Sequence, residues 1–395
     1  MSLRRLALTP AGAGESWGVG LRAFLTFLAF PPFIVPVGAA AEVAYPPVVP
    51  GYELAFPRDE GSHPDYRIEW WYVTGQLDDG ASKAKAPLGF QVTFFRVRTG
   101  LAADNPSSFA PRQVLFAHAA IADPATGKLH HAQRSARTGF DLAYAGADQL
   151  DVKLDDWSIR QVAPGRYVTA VHGEDFAFEL TLAATQPPLL QGERGFSRKG
   201  PDPLAASYYY SLPQLAVTGA VTVGGSTRQV SGQAWFDHEW SSDYVDEDAL
   251  GWDWLGANMT DGGALMAFRM RDRQGGARWA GATLRRPSPS PAVRTTSSAE
   301  AGEAQTFGPE AVSWTPLKTW RSPRTGVTYP VQWRVQVGDR RYRVEPLLLD
   351  AELDSRPTTG ILYWEGPIRL IVEATGKEAG RGYLELTGYG GKLDL

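Results

Sequence analysis

Residues 88–98 read Leu88-Gly89-Phe90-Gln91-Val92-Thr93-Phe94-Phe95-Arg96-Val97-Arg98, a run rich in aromatic and β-branched side chains between Pro87 and Gly100. Such side chains fit a pleated, half-buried surface, and Pro and Gly end it at both sides, so the run reads as a strand. Comparable runs recur at Val114–Ala122, Phe176–Leu182, Leu215–Val223, Ala264–Arg271 and Gln332–Val337. Asp79-Gly80, Thr126-Gly127, Gly224-Gly225 and Asp261-Gly262 are turn dipeptides suited to hairpins. Past Tyr45 no sustained helical period appears, so the crossovers that a parallel sheet needs are missing. The expected fold class is all-β and antiparallel.

The chain is 395 residues long, more than a single hydrophobic core ordinarily supports, which favours two domains. Its formal charge of −4 leaves no basic footprint and argues against nucleic acid as a partner. With no cysteine, disulfides, thiolate zinc sites and a Cys nucleophile are excluded. Arg4, Arg5 and Arg22 precede the apolar stretch Ala23–Val37, and Gly38-Ala39-Ala40-Ala41 offers a small-residue cleavage site. That order predicts a signal peptide over 1–41 and a secreted or periplasmic mature chain. Gly195–Pro213 reads as a connecting segment, and Arg286–Gln305 as an exposed loop.

An internal echo supports two related halves. Glu69-Trp70-Trp71-Tyr72 is followed by Asp79-Gly80 and then Phe95-Arg96-Val97-Arg98. Gly251-Trp252-Asp253-Trp254 is followed by Asp261-Gly262 and then Phe268-Arg269-Met270-Arg271, with Trp70 and Trp252 equally far ahead of their Asp-Gly.

The densest polar-aromatic stretch is Gly232-Gln233-Ala234-Trp235-Phe236-Asp237-His238-Glu239-Trp240-Ser241-Ser242. As a strand it puts Phe236, His238 and Trp240 on one face and Trp235, Asp237 and Glu239 on the other. An acid enclosed by indoles is pushed towards its neutral form and can donate a proton, while indole faces stabilise a developing cation. Asp237, His238 and Asp253 are the candidate catalytic groups, with Trp240, Trp252 and Trp254 lining the site. The ordinary alternative stands beside this one: Asp237 and Glu239 bonded at a strand end, His238 a satisfied structural histidine, and the tryptophans core filler. His118 is read as structural. The six histidines are scattered without a compact ligand set, so no metal is expected. Neither a Gly-x-Ser-x-Gly elbow nor a phosphate-binding glycine loop in its strand-to-helix setting is present.

Eight ordered segments carry a family resemblance: His63-Pro64 with Glu69–Tyr72, Phe196–Gly200, Ser207–Tyr210, Asp237–Ser242, Gly251–Trp254, Tyr329-Pro330, Tyr363–Gly366 and Gly382–Tyr389. From about residue 45 onwards the chain resembles the AttH and carotenoid 1,2-hydratase superfamily. The resemblance implies two lipocalin-like barrels packed together, placed at 42–215 and 216–395. It further implies an apolar, isoprenoid or lipid-like ligand and cofactor-free addition of water to a double bond or hydrolysis. The hydratase-like set falls on His238, Trp240 and Asp253. Glu69, Trp71, Tyr209 and Glu365, from the other segments, are candidate substrate contacts. The second reading, also implied, is a non-catalytic carrier working with an envelope ABC permease. The chain departs from the family pattern at Leu255-Gly256-Ala257-Asn258 and at Ala351, changes expected to trim the pocket. Convergence of Asp237, His238 and Asp253 on one cavity would separate enzyme from carrier.

Overall fold

The computed structural model describes residues 43–80, 86–101, 105–107, 109–244, 248–287 and 302–391. The leader expected over 1–41 lies outside the described residues. The first sheet contains β1 (Ile68–Asp78), β2 (Leu88–Arg98), β3 (Gln113–Asp123), β4 (Lys128–Arg137), β5 (Ala143–Ala145), β6 (Asp151–Leu154), β7 (Trp157–Ala163), β8 (Arg166–His172), β9 (Phe176–Ala183), β10 (Leu189–Leu190), β11 (Phe196–Arg198), β12 (Ala206–Val223) and β13 (Ser226–Asp243). The second contains β14 (Gly251–Met259), β15 (Ala264–Arg271), β16 (Ala277–Arg285), β17 (Ala304–Phe307), β18 (Val312–Arg321), β19 (Thr328–Val337), β20 (Arg340–Pro346), β21 (Glu352–Asp354), β22 (Leu362–Val372) and β23 (Glu378–Leu386). Among the described residues the only helical pieces are two 3-10 turns, Arg58–Glu60 and Pro309–Ala311.

The expected all-β, antiparallel, two-barrel architecture is what the molecule has. The first sheet runs β4-β3-β2-β1-β13-β12-β9-β8-β7-β6-β5, and curls until β3 and β4 lie against β6. The second runs β17-β16-β15-β14-β23-β22-β20-β19-β18, with β16 against β18. Gly224 and Gly225, both at positive φ, close the long β12–β13 hairpin, as that turn chemistry requires.

The halves do not meet where expected. Position 215/216 falls inside β12, which pairs with β13 from Val223↔Ser226 to Ala206↔Asp243. Both strands belong to the first sheet, so the exchange lies between Asp243 and Gly251. Gly195–Pro213 is likewise no linker, since β11 and the start of β12 run through it. Its Tyr cluster sits on β12, with Tyr208, Tyr209 and Tyr210 all buried.

Strand alternation sorts every site residue. On β1, Trp71 and Val73 enter the first barrel's core, while Ile68 and Tyr72 enter a third core between the sheets. On β14, Leu255 and Ala257 fill the second barrel and Trp254 joins the inter-sheet core. The central strands are therefore buried on both faces, which explains their near-continuous apolar runs. Fully burying one such side chain contributes about 1.5–3 kcal/mol, so the inter-sheet layer binds the two barrels into one body.

Candidate functional site

A cavity of about 340 Å³ lies between the sheets, walled by β1, β2, β3 and β13 on one side and β14, β22 and β23 on the other. Its lining is mainly aromatic with five acidic residues, the exposed Asp243 and four enclosed ones, Asp237, Glu239, Glu365 and Glu385.

Asp237 accepts hydrogen bonds from Ser211 Oγ (2.5 Å), Trp235 Nε1 (2.7 Å) and Tyr209 OH (2.8 Å). Burial pushes its pKa up to about 7 against these three donors, which pull it down. Trp254 Nε1 donates to Tyr209 OH at 3.0 Å, so one indole sets the hydroxyl that sets the acid. Glu365 and Glu385 are direct cross-strand partners on β22 and β23, a placement that brings Cβ atoms within about 5 Å. Burial raises both, Glu385 to about 8 and Glu365 well above the carboxylate range, with Glu385's charge adding to the rise of Glu365. Two buried carboxyls so close do not both ionise at neutral pH. Trp252 Nε1 donates to Glu385 at 2.9 Å, and Tyr72 OH donates across the sheets to Glu365.

Glu239 pairs with the buried Lys199 at 2.6 Å and accepts from Ser207. Burial pushes the Glu239 carboxyl up and the Lys199 ammonium down, and each draws the other back towards its charged form. Lys199 Nζ also lies over the rings of Phe268 (4.5 Å) and Tyr209 (4.8 Å). At the cavity's far end His118 sits 2.9 Å from both Tyr363 OH and Thr358 Oγ1. Burial lowers its pKa to about 3, so the ring is neutral at any ordinary pH.

The cavity thus gathers Asp237, Trp252, Trp254, Tyr209 and Glu365 from the expected set, and leaves the others elsewhere. His238, Trp240, Glu69 and Trp71 do not face it. His238 Nε2 lies 2.9 Å from Glu69 Oε1, and Trp71 stacks on the His238 ring at 4.9 Å. Trp240 stacks on His63 at 3.7 Å. Burial opposes ionisation of Glu69, yet Arg96, His238 and His63 hold it well below the carboxylate range. Asp253 points into the second barrel, 2.5 Å from Arg269 Nε, 3.3 Å from Arg271 Nε and 2.9 Å from Tyr389 OH. Asp237, His238 and Asp253 therefore do not converge. The reason is the period of two: His238 and Asp253 each sit one residue from a cavity-lining neighbour. Of the family departures, Leu255, Ala257 and Ala351 pack in the second barrel's core and do not trim the cavity, whereas Gly256 lies on the inter-sheet face against Trp254 and Trp235.

Glu385 and Tyr72 take part without having been singled out. Glu385 shares its face of β23 with Tyr383, and Thr387 just past the strand lines the same cavity, the alternation that could have drawn attention to it.

Fold and cavity together define a two-barrel, lipocalin-like protein with an acid-lined apolar pocket at the junction. The AttH-like family model matches residues 47–389, and the chain belongs to that family. Among solved structures, a candidate AttH from Nitrosomonas europaea is similar at 48% identity and TM-score 0.78, over 87% of this chain and 99% of that one. Kievitone hydratase from Nectria haematococca shares the fold at 17% identity and TM-score 0.61, over 88% and 94% of the two chains. No curated protein matches.

Proposed function

We propose that the protein is a proton-transfer enzyme that adds water to, or removes it from, an apolar molecule held between the barrels. The observation that supports this most is the Glu365/Glu385 carboxyl pair, whose ionisation is pushed above neutral pH inside an aromatic cavity that also holds Asp237, raised to about 7. In the hydration direction, Glu385 as carboxylic acid gives its proton to one carbon of a double bond. The cation left on the other carbon lies against indole faces of Trp70, Trp252 and Trp254. Water attacks that carbon and its proton returns to the Glu365/Glu385 pair, directly or by way of ionised Asp237, which resets the sites. Asp237, raised to about 7, and Glu385, raised to about 8, both exchange protons readily near neutral pH, as acid–base chemistry requires. A carrier of apolar molecules has no need of four acids in its pocket, which is why the enzyme reading leads.

The test is incubation of the protein with a panel of isoprenoid and polyene alkenes in ¹⁸O-labelled water. A labelled alcohol that forms with wild type and not with Glu385→Gln supports the reading. Tight binding of a panel member with no product, and equal affinity in Glu385→Gln and Asp237→Asn, would establish the carrier instead.

A further inference from the structure

The polar knot inside the first barrel holds a second arrangement, separate from the cavity. Glu69 Oε2 accepts from Arg96 Nε at 2.7 Å, and the His63 peptide N–H straddles both oxygens at 2.9 and 3.0 Å. Oε1 then faces His63 Nδ1 at 2.7 Å and His238 Nε2 at 2.9 Å. The other nitrogen of each ring already has an acceptor. His238 Nδ1 lies 3.0 Å from the Asp59 carbonyl oxygen, nearer than the Tyr210 hydroxyl at 3.3 Å. His63 Nε2 lies 3.3 Å from Asp59 Oδ1. An imidazole that donates outward to a carbonyl or carboxylate presents a lone pair at its remaining nitrogen. Three lone pairs thus converge, their atoms all within 4.8 Å of one another.

In that tautomer the three lone pairs repel unless positive charge stands between them. One divalent ion supplies that charge in one place; the metal-free arrangement is a protonated His63 between Asp59 and Glu69, with His238 Nε2–H donating to Glu69 and the Tyr210 hydroxyl meeting Nδ1. We infer that His63 Nδ1, His238 Nε2 and Glu69 Oε1 form a site for a divalent transition ion of the zinc class. Two imidazoles and one carboxylate oxygen are the donors such an ion takes, and a fourth position stays open. Asp59 and Arg96 supply the outer hydrogen bonds that orient the ligands. Atoms about 2.0 Å from a tetrahedral ion stand roughly 3.3 Å apart, so each ring nitrogen moves about half an ångström away from Glu69 Oε1 and the two nitrogens, within 4.8 Å of each other, settle to that spacing. His63, with 13% of its side chain exposed, is the entry side, while Glu69 and His238 are sealed. Positions 63, 69 and 238 are too dispersed for any spacing rule to join them. β1 and β13 bring Trp71 directly opposite His238, with Glu69 two residues from Trp71 on the same face.

The experiment uses the full chain, dialysed against chelator and titrated with Co²⁺ and then Zn²⁺. One equivalent of Co²⁺ should give a visible absorption band that Zn²⁺ abolishes, and Zn²⁺ should raise the melting temperature. His63→Ala should lose the band and the rise. X-ray absorption of the zinc-loaded wild type needs no variant and should show two imidazoles and one carboxylate oxygen. The proposal is overturned by the absence of band and rise under excess metal, by a band that persists in His63→Ala, or by a coordination shell without two imidazoles.

Discussion

Neighbouring residues on one strand lead separate lives here. Asp237 faces the cavity with a pKa near 7, and His238 beside it is locked into the first barrel. Turnover should fall by about 10²–10⁴ in Asp237→Asn and in Glu385→Gln, the usual worth of a positioned acid or base, with the fold intact by circular dichroism. His238→Ala should behave in the opposite way. Loss of a charged hydrogen bond and a hole beside Trp71 should cost about 3 kcal/mol in denaturant unfolding, with affinity for an apolar ligand unchanged in the folded fraction. The alternation of Asp237 with His238 was legible in the sequence, but which face meets the cavity was not. When both faces of a strand are buried, pattern alone cannot rank them. Glu365 was named from its own segment, but its partnership with Glu385 was not, because the register of the β22–β23 hairpin sets it.

At the scale of strands, the internal echo acquires a structural meaning with a two-residue slip. Glu69 pairs directly across from Arg96 on β2, and Asp253 directly across from Arg269 on β15. Each acid also makes an ion pair with that arginine, at 2.7 and 2.5 Å. By these pairs Trp70 corresponds to Trp254, not to Trp252 as the Asp-Gly spacing suggested. Hairpin length drifts more freely than a buried ion pair, so the turn was the poorer ruler. The two knots share no partner, so His238→Ala and Asp253→Asn should destabilise additively, within about 0.5 kcal/mol in a double-mutant cycle. A large coupling energy would mean the barrels communicate through the β1–β14 region. The sheets also approach closely at Gly89 on β2, where a Cβ would stand 2.6 Å from Tyr383 OH and 2.7 Å from Pro367 Cγ. Gly89→Val should therefore lower the melting temperature and loosen the cavity, although it touches no acid.

For the molecule as a whole, the buried acids make stability depend on pH. Asp237 and Glu385 have folded pKa values raised to about 7 and about 8, against ordinary values near 4 when unfolded. Their favourable contribution is complete below pH 4 and is lost as pH climbs through about 8. Denaturant unfolding should show wild type weakening over that window, and Asp237→Asn weakening less; a flat wild-type profile would contradict the buried, neutral acids. The division of the cavity between two sheets carries one more consequence. A molecule lodged there loses its site when either sheet opens, so it must oppose the opening of both. At a hundredfold excess over Kd that opposition is about 2.7 kcal/mol. Amide hydrogen exchange would then slow together in strands as remote in sequence as β3 and β23, whereas a compound shielding one sheet alone is bound elsewhere. The natural ligand could be recognised by the reach of that protection before any reaction on it had been seen.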